Sequence, residues 1–380
     1  MKIKIILIIS LLQLIIGCKK ETNNTQEVST QAISDTSNVY QRLYILNEGN
    51  MSENRSTIDY VDFSAQKYYS NIYPYINPTV VKELGDVGND IQIYGSKMYA
   101  VINMSNKVEI MDAATAKHLG ETTIKNARNI CFANGKAYIT AYNRDISTST
   151  TGDSNNADGI VVELDTTNYN IINTVEVGRQ PDGIAVYNNQ LYVANSGGYN
   201  PDNYDHTVSI IDLNTFTVTK TLNVAINLNQ VKVNNSLIYV SSRGDYNQIR
   251  SKLFIINGNS NTVQDSIDVS VSNFDIYNNT AYIIGTPYSN QTGTITSIQY
   301  LKINLTTNTI NSESFISDGT NSQITLPYGL LVNPSNGDVY VTDAKDYQTS
   351  GTVYCFNAQG TKKWSATGGQ IPGHFALLKK

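Results

Sequence analysis

The residue types that most often carry chemistry are sparse in this sequence and poorly placed for it. Its three histidines, His118, His206 and His374, lie far apart, and none has a partner at metal-ligand spacing. Neither Gly-x-Ser-x-Gly nor Gly-x-x-x-x-Gly-Lys occurs. Asp153, Asp158, Asp202 and Asp205 could gather around a calcium ion with loop carbonyls, but their spacing is not that of an EF-hand. Solvated loop acids are the simpler reading. His374 stands at the start of an apolar stretch, where a structural histidine is the plain expectation. No catalytic residue, metal site or cofactor is assigned, and the chain reads as a binding protein rather than an enzyme.

One cysteine does suggest a reaction, carried out on the chain rather than by it. Lys2 and Lys4 precede an apolar run, Ile5 to Ile16, broken by Ser10 and Gln13, and Gly17-Cys18 follows at once. A basic start, a short apolar run and a small residue describe a lipoprotein signal peptide, residues 1–17. Cleavage before Cys18 frees an amine and a thiol for acylation, which anchors a protein without a spanning helix. Residues 18–40, rich in Thr, Asn, Gln, Ser and Glu, read as a flexible tether. Lys19 after the cysteine suits sorting to the outer membrane, so the expected location is lipid-anchored there, facing outward. The other cysteines, Cys131 and Cys355, fall in separate apolar strand patterns and read as buried free thiols. A net charge of −5 and a pI near 5.3 argue against a nucleic-acid partner.

Residues 41–380 show a repeat that decides the fold class. Its clearest copy runs Pro181-Asp182-Gly183-Ile184-Ala185-Val186, Leu191-Tyr192-Val193-Ala194-Asn195, Val208-Ser209-Ile210-Ile211-Asp212, then Val218 to Val224. These are four short β-rich runs punctuated by turn residues. The second-strand tyrosine recurs as Tyr44, Tyr99, Tyr138, Tyr192, Tyr239, Tyr282 and Tyr340, seven copies in all. The third run ends at Asp62, Asp112, Asp165, Asp212, Asn257, Asn304 and Asn357, where the side chain can start the next turn. First strands precede each tyrosine except Tyr44. The missing one, Phe375-Ala376-Leu377, lies at the far end of the sequence. The expectation is an all-β, seven-bladed β-propeller whose C-terminal strand completes the N-terminal blade.

In such a ring, the loops between second and third strands share a face with the links between blades. Here those loops vary most, as in 47–56, 141–158, 195–206, 241–251 and 342–351, while the opposite turns stay short. That asymmetry marks one functional face. Candidate ligand-binding residues on it are Asn47, Asn50, Asn89, Asn103, Arg128, Tyr142 and Arg179. Asn195, Tyr199, Tyr204, Arg243, Tyr246, Tyr328 and Tyr347 complete the set, with Arg144 and Tyr288 nearby. Tyr offers broad amphipathic contact at low entropic cost, and Asn and Arg supply hydrogen bonds.

The segments Pro181 to Val186, Leu191 to Asn195 and Val208 to Asp212 resemble the YVTN/YncE-type, surface-layer-like propeller repeat. A narrower resemblance is to the BtuG-type propeller lipoproteins of Bacteroidetes. It rests on the lipobox, on Leu46-Asn47-Glu48-Gly49-Asn50, on Asn77 to Ile91, and on Tyr192 to Tyr199. That resemblance implies surface capture of cobalamin (vitamin B12) and delivery to a TonB-dependent outer-membrane transporter. An adhesion or surface-layer module binding protein or glycan is the second function class. A lyase or a haem- or quinone-bearing propeller is the third.

Overall fold

The computed structural model describes residues 29–80, 83–143, 159–289, 293–295 and 297–380. Cys18, the signal sequence, Arg144, Asp153 and Asp158 lie outside the described residues, as does the side chain of Tyr288. Among the described residues no helix is long and apolar enough to cross a membrane.

The described strands form seven antiparallel sheets of four or five strands, plus one two-stranded ribbon, Tyr288–Ser289 with Thr294–Ile295. Blades 2 to 7 each use four strands in sequence order. Blade 1 starts from the other end of the chain: Pro372–Lys379 pairs with Tyr40–Asn47, setting Leu377 opposite Leu43 and Phe375 opposite Ile45. This is the ring closure that the displaced strand predicted.

The repeat markers explain themselves in this architecture. Each second strand is flanked on both sides, so its tyrosine is trapped between neighbouring blades; all seven are buried. The Tyr44 hydroxyl donates to the Ala113 carbonyl of the next blade at 2.7 Å. Tyr192 likewise reaches the Gly258 carbonyl at 3.2 Å. Burying one such side chain is worth about 1.5–3 kcal/mol, and apolar clusters of this kind fill the gaps between blades. The Asp or Asn ending each third strand accepts backbone N–H groups two to four residues on, as at Asp62, Asp212 and Asn304.

Two expectations change. The stretch 18–40 is not tether throughout: Thr30–Ala32 adds an outer strand to blade 1, and Ile33 and Asp35 are buried. Gln31 exchanges two hydrogen bonds with Thr367 of blade 7, and Asp35 accepts from Lys363 and Trp364 there. Polar composition hid this because the ordering comes from specific pairings rather than from apolar area. Cys131 and Cys355 are both free, but only Cys355 is fully buried.

Candidate functional site

The first strand of every blade lines the central axis, and its opening residues reach one face of the ring. In most blades the pairing with the second strand breaks there. Register skips fall between Gly88 and Asp90, Pro181 and Ile184, Leu228 and Val231, and Pro327 and Leu330. A bulge leaves residues unpaired and re-aims their side chains. Among the freed positions, Asn89, Asp182, Asn229, Gln230 and Tyr328 line the axial end of a cavity of about 1390 Å³ that runs outward along blades 5 and 6 as far as Leu301 and Ile310. Inner strands approach so closely here that a Cβ on Gly183 would collide with the Asn229 carbonyl oxygen.

Charged side chains around the mouth are fixed by one another. Asp182 is buried, and its Oδ1 accepts from Arg128 Nη2 at 3.3 Å and Asn129 Nδ2 at 3.0 Å. Its Oδ2 faces Arg243 Nη2 at 3.1 Å. Burial alone would raise the Asp182 carboxyl, but Arg128 and Arg243 outweigh it and hold the group below the usual carboxylate range. Burial works against the Arg128 charge too, and Asp182 more than compensates. Arg128 also donates to Asn89 Oδ1 at 3.3 Å and lies 5.9 Å from the Tyr142 ring centroid.

Across the mouth stands a second group. Glu48 accepts from the Tyr328 hydroxyl at 3.0 Å and bonds His374 Nε2 at 2.9 Å. Burial lowers the His374 pKa, but the Glu48 bond and charge, with buried Asp90 behind, carry it above the ordinary histidine value. Tyr328 is pushed far above the phenol range by burial first and by Glu48 second, so it is a fixed donor. Gln230 and Asn273 continue the ring by amide hydrogen bonds, 2.9 Å from one to the other and 2.9 Å on to the Tyr328 carbonyl.

Tyr246 and Tyr347 complete the wall from matching loops. Both take left-handed backbone, at φ 58° and 62°. For a tyrosine this costs about 1–3 kcal/mol, a strain found most often at functional sites. Each loop is tied by an aspartate, Asp245 accepting from the Asn247 and Ile249 N–H groups and Asp346 from those of Gln348 and Thr349.

The cavity thus gathers six of the residues expected from the sequence: Asn89, Arg128, Arg243, Tyr246, Tyr328 and Tyr347. Others support it from behind or beside. Tyr142 is buried under Arg128, and exposed Tyr199 meets it edge-on at 6.0 Å. Asn50 holds the Tyr347 carbonyl at 2.7 Å. Arg179 and the buried Tyr204 belong to a loop organised by Asp205, which accepts from the Arg179 and Thr207 backbone and is thereby a structural acid.

Asn47, Asn103 and Asn195 do not line the cavity. Asn47 and Asn195 end second strands and Asn103 follows one directly; each is at most 1% exposed and bonds within or between blades. Asn103 Nδ2 donates to the Ala127 carbonyl at 2.9 Å, and Asn195 Nδ2 to Thr207 and Ser209 hydroxyls at 2.9 and 3.0 Å. Conversely, Glu48, Asp182 and His374 line the cavity without having been chosen as binding residues. Asp182 shares the register position of Asn89 and Tyr328, a signal the repeat alignment already contained, and His374 stands one residue further along its strand.

Among the described residues, one group has metal-ligand proximity: Asp35, Asp338 and Cys355. The Lys363 ammonium occupies that place, 2.6 Å from Asp35 and 2.7 Å from Asp338. It is a buried ion-pair knot, remote from the axial residues.

Solved structures similar to this chain are propeller-like and distant. A quinonprotein alcohol dehydrogenase-like protein of Bacteroides thetaiotaomicron aligns at 15% identity and TM-score 0.59, over 89% of this chain and 78% of that one. Hydrazine synthase of Kuenenia stuttgartiensis aligns at 15% identity and TM-score 0.55, over 71% and 76%. The computationally designed Ika8 protein aligns at 10% identity and TM-score 0.53, over 90% and 93%. At such identities the likeness concerns the fold alone. No curated protein matches the chain. Residues 41–368 match the family described as domain of unknown function DUF5074, and the chain is a member of that family.

Proposed function

We propose that the chain is a capture protein whose axial cavity holds a large polar small molecule without turning it over. The carrying observation is the cavity itself, about 1390 Å³, whose axial end is walled by arginine, tyrosine, asparagine and glutamine side chains already locked in mutual hydrogen bonds. Ordinary small-molecule sites occupy roughly 300–1,000 Å³, so this mouth suits a larger ligand. A wall fixed in advance spends little ordering entropy on binding, which favours affinity. No serine, cysteine or histidine on this wall is paired as nucleophile and base among the described residues; the His374 partner is a carboxylate.

Cobalamin is the ligand to try first, on the strength of the BtuG-type resemblance and of a cavity suited to a bulky, amide-decorated molecule. In this reading Cys18 anchors the propeller to the outer membrane and a TonB-dependent transporter receives the ligand. The chain lacking residues 1–18, mixed with cobalamin and desalted, is expected to stay pink and to give calorimetric heat. A colourless protein with no heat overturns the ligand assignment. For the anchor, Cys18→Ala is expected to release the protein from the membrane fraction of cells; retention there overturns it.

A further inference from the structure

Two arginines at the axial mouth share one carboxylate. Arg128 and Arg243 both pair with Asp182, whose Oδ1 also accepts from Asn129. One negative charge therefore serves two guanidinium groups. The other acids near the axis make their bonds elsewhere, although the Glu48 charge is felt at Arg128. Glu48 is engaged by His374 and Tyr328. Asp90 is turned to the Ile130 backbone N–H at 3.0 Å and to Gln92, and its charge acts on His374. Farther out, Asp268 has its own lysine, Lys252, at 3.6 Å, and Arg250 adds another positive group to the lining.

Burying a second guanidinium beside one carboxylate is costly unless something else pairs with it. Both arginines keep part of their side chains open, 16% for Arg128 and 29% for Arg243. Arg128 Nε is buried with no hydrogen-bond partner among the described residues. The guanidinium fork suits bidentate contact with an oxyanion, and the Tyr142 ring helps to hold Arg128 in place.

We propose that Arg128 and Arg243, bracketing Asp182, form a seat for an oxyanion, a phosphate or carboxylate group carried by the captured molecule. This rests on the capture reading, since the seat lies in the same cavity, and it narrows the ligand class to molecules bearing such a group. Cobalamin carries a phosphodiester and qualifies.

The test uses the chain lacking residues 1–18 at low ionic strength, where surface screening is least. Inorganic phosphate is titrated against it, with sodium chloride at matched ionic strength as control, followed by phosphorus NMR line width and by thermal midpoint. Saturable binding is expected, weakened roughly tenfold or more by Arg243→Gln and less by Arg243→Lys, which keeps the charge and loses the fork. Acetate that competes with phosphate extends the seat to carboxylates; acetate without effect assigns it to phosphate. No saturation, or equal binding by wild type and a folded Arg243→Gln protein, overturns the seat. Cobalamin binding without phosphate binding removes the seat and leaves capture standing. Phosphate binding without cobalamin binding leaves the seat and removes cobalamin.

Discussion

Two sets of polar side chains ring this propeller, and their difference lies in strand position rather than chemistry. Asn47, Asn103 and Asn195 stand at the ends of second strands or just past them and are enclosed by neighbouring strands and loops. Asn89, Asp182 and Tyr328 open first strands, at bulges that free them toward the axis. An asparagine in the inner belt ties blades together, and one a strand away faces the cavity. Polarity on a propeller face therefore indicates function only once the strand position is known. The belt should govern stability and the axial ring should govern binding.

Asp182 is where that separation is expected to fail most severely. Asp182→Ala leaves two arginines without their carboxylate and should destabilise by about 3–5 kcal/mol, read by urea unfolding. A change below 1 kcal/mol would show, by order of magnitude, that solvent already neutralises the pair. Next comes the belt: Asn47→Ala removes a bond to Thr57 at 2.9 Å and one from the Gly369 N–H at 3.1 Å. The expected cost is about 1–3 kcal/mol with ligand affinity unchanged. Lost affinity in a protein of undiminished stability would collapse the distinction.

A smaller effect belongs to His374. Its folded pKa lies above its unfolded value, so its contribution is complete below the unfolded pKa and fades as pH rises through the folded one. Wild-type stability should therefore fall as pH climbs from 6.5 through that value, and His374→Gln should flatten the slope. An unchanged slope would remove the His374–Glu48 pair as its source. The least effect is expected from Asn50→Ala on the rim: its single bond to the Tyr347 carbonyl is worth about 0.5–1.5 kcal/mol, visible as a modest loss of affinity if it steadies Tyr347.

The fold was legible because the markers of the repeat are consequences of burial and turn geometry. A second-strand tyrosine must sit between blades, and an aspartate or asparagine must close each third strand, so both recur seven times and both keep register. The site was legible only in part. Arg128, Arg243, Tyr246 and Tyr347 stood out as large polar residues in links and loops. Asp182 did not, because within Pro181-Asp182-Gly183 it looked like part of the repeat; the bulge that frees it depends on pairing, which no local composition reports. Asn47, Asn103 and Asn195 adjoin variable loops too, yet they line no part of the cavity, because residues at the ends of second strands are enclosed by the sheet and its neighbours.

The closing strand also bears on the order in which the molecule assembles. Blades 2 to 7 are built from hairpins between neighbouring segments, which form quickly because little chain must be looped. Blade 1 instead joins Leu43 to Leu377 and Gln31 to Thr367, contacts separated by most of the polypeptide. Until residues 372–379 are available, Tyr40–Asn47 presents an unpaired edge. The seam should therefore be the slow step of folding and the one most open to mispairing between chains. Substitutions in Phe375 to Leu377 should retard refolding or promote dimers before they lower equilibrium stability as far as a loss of central packing would.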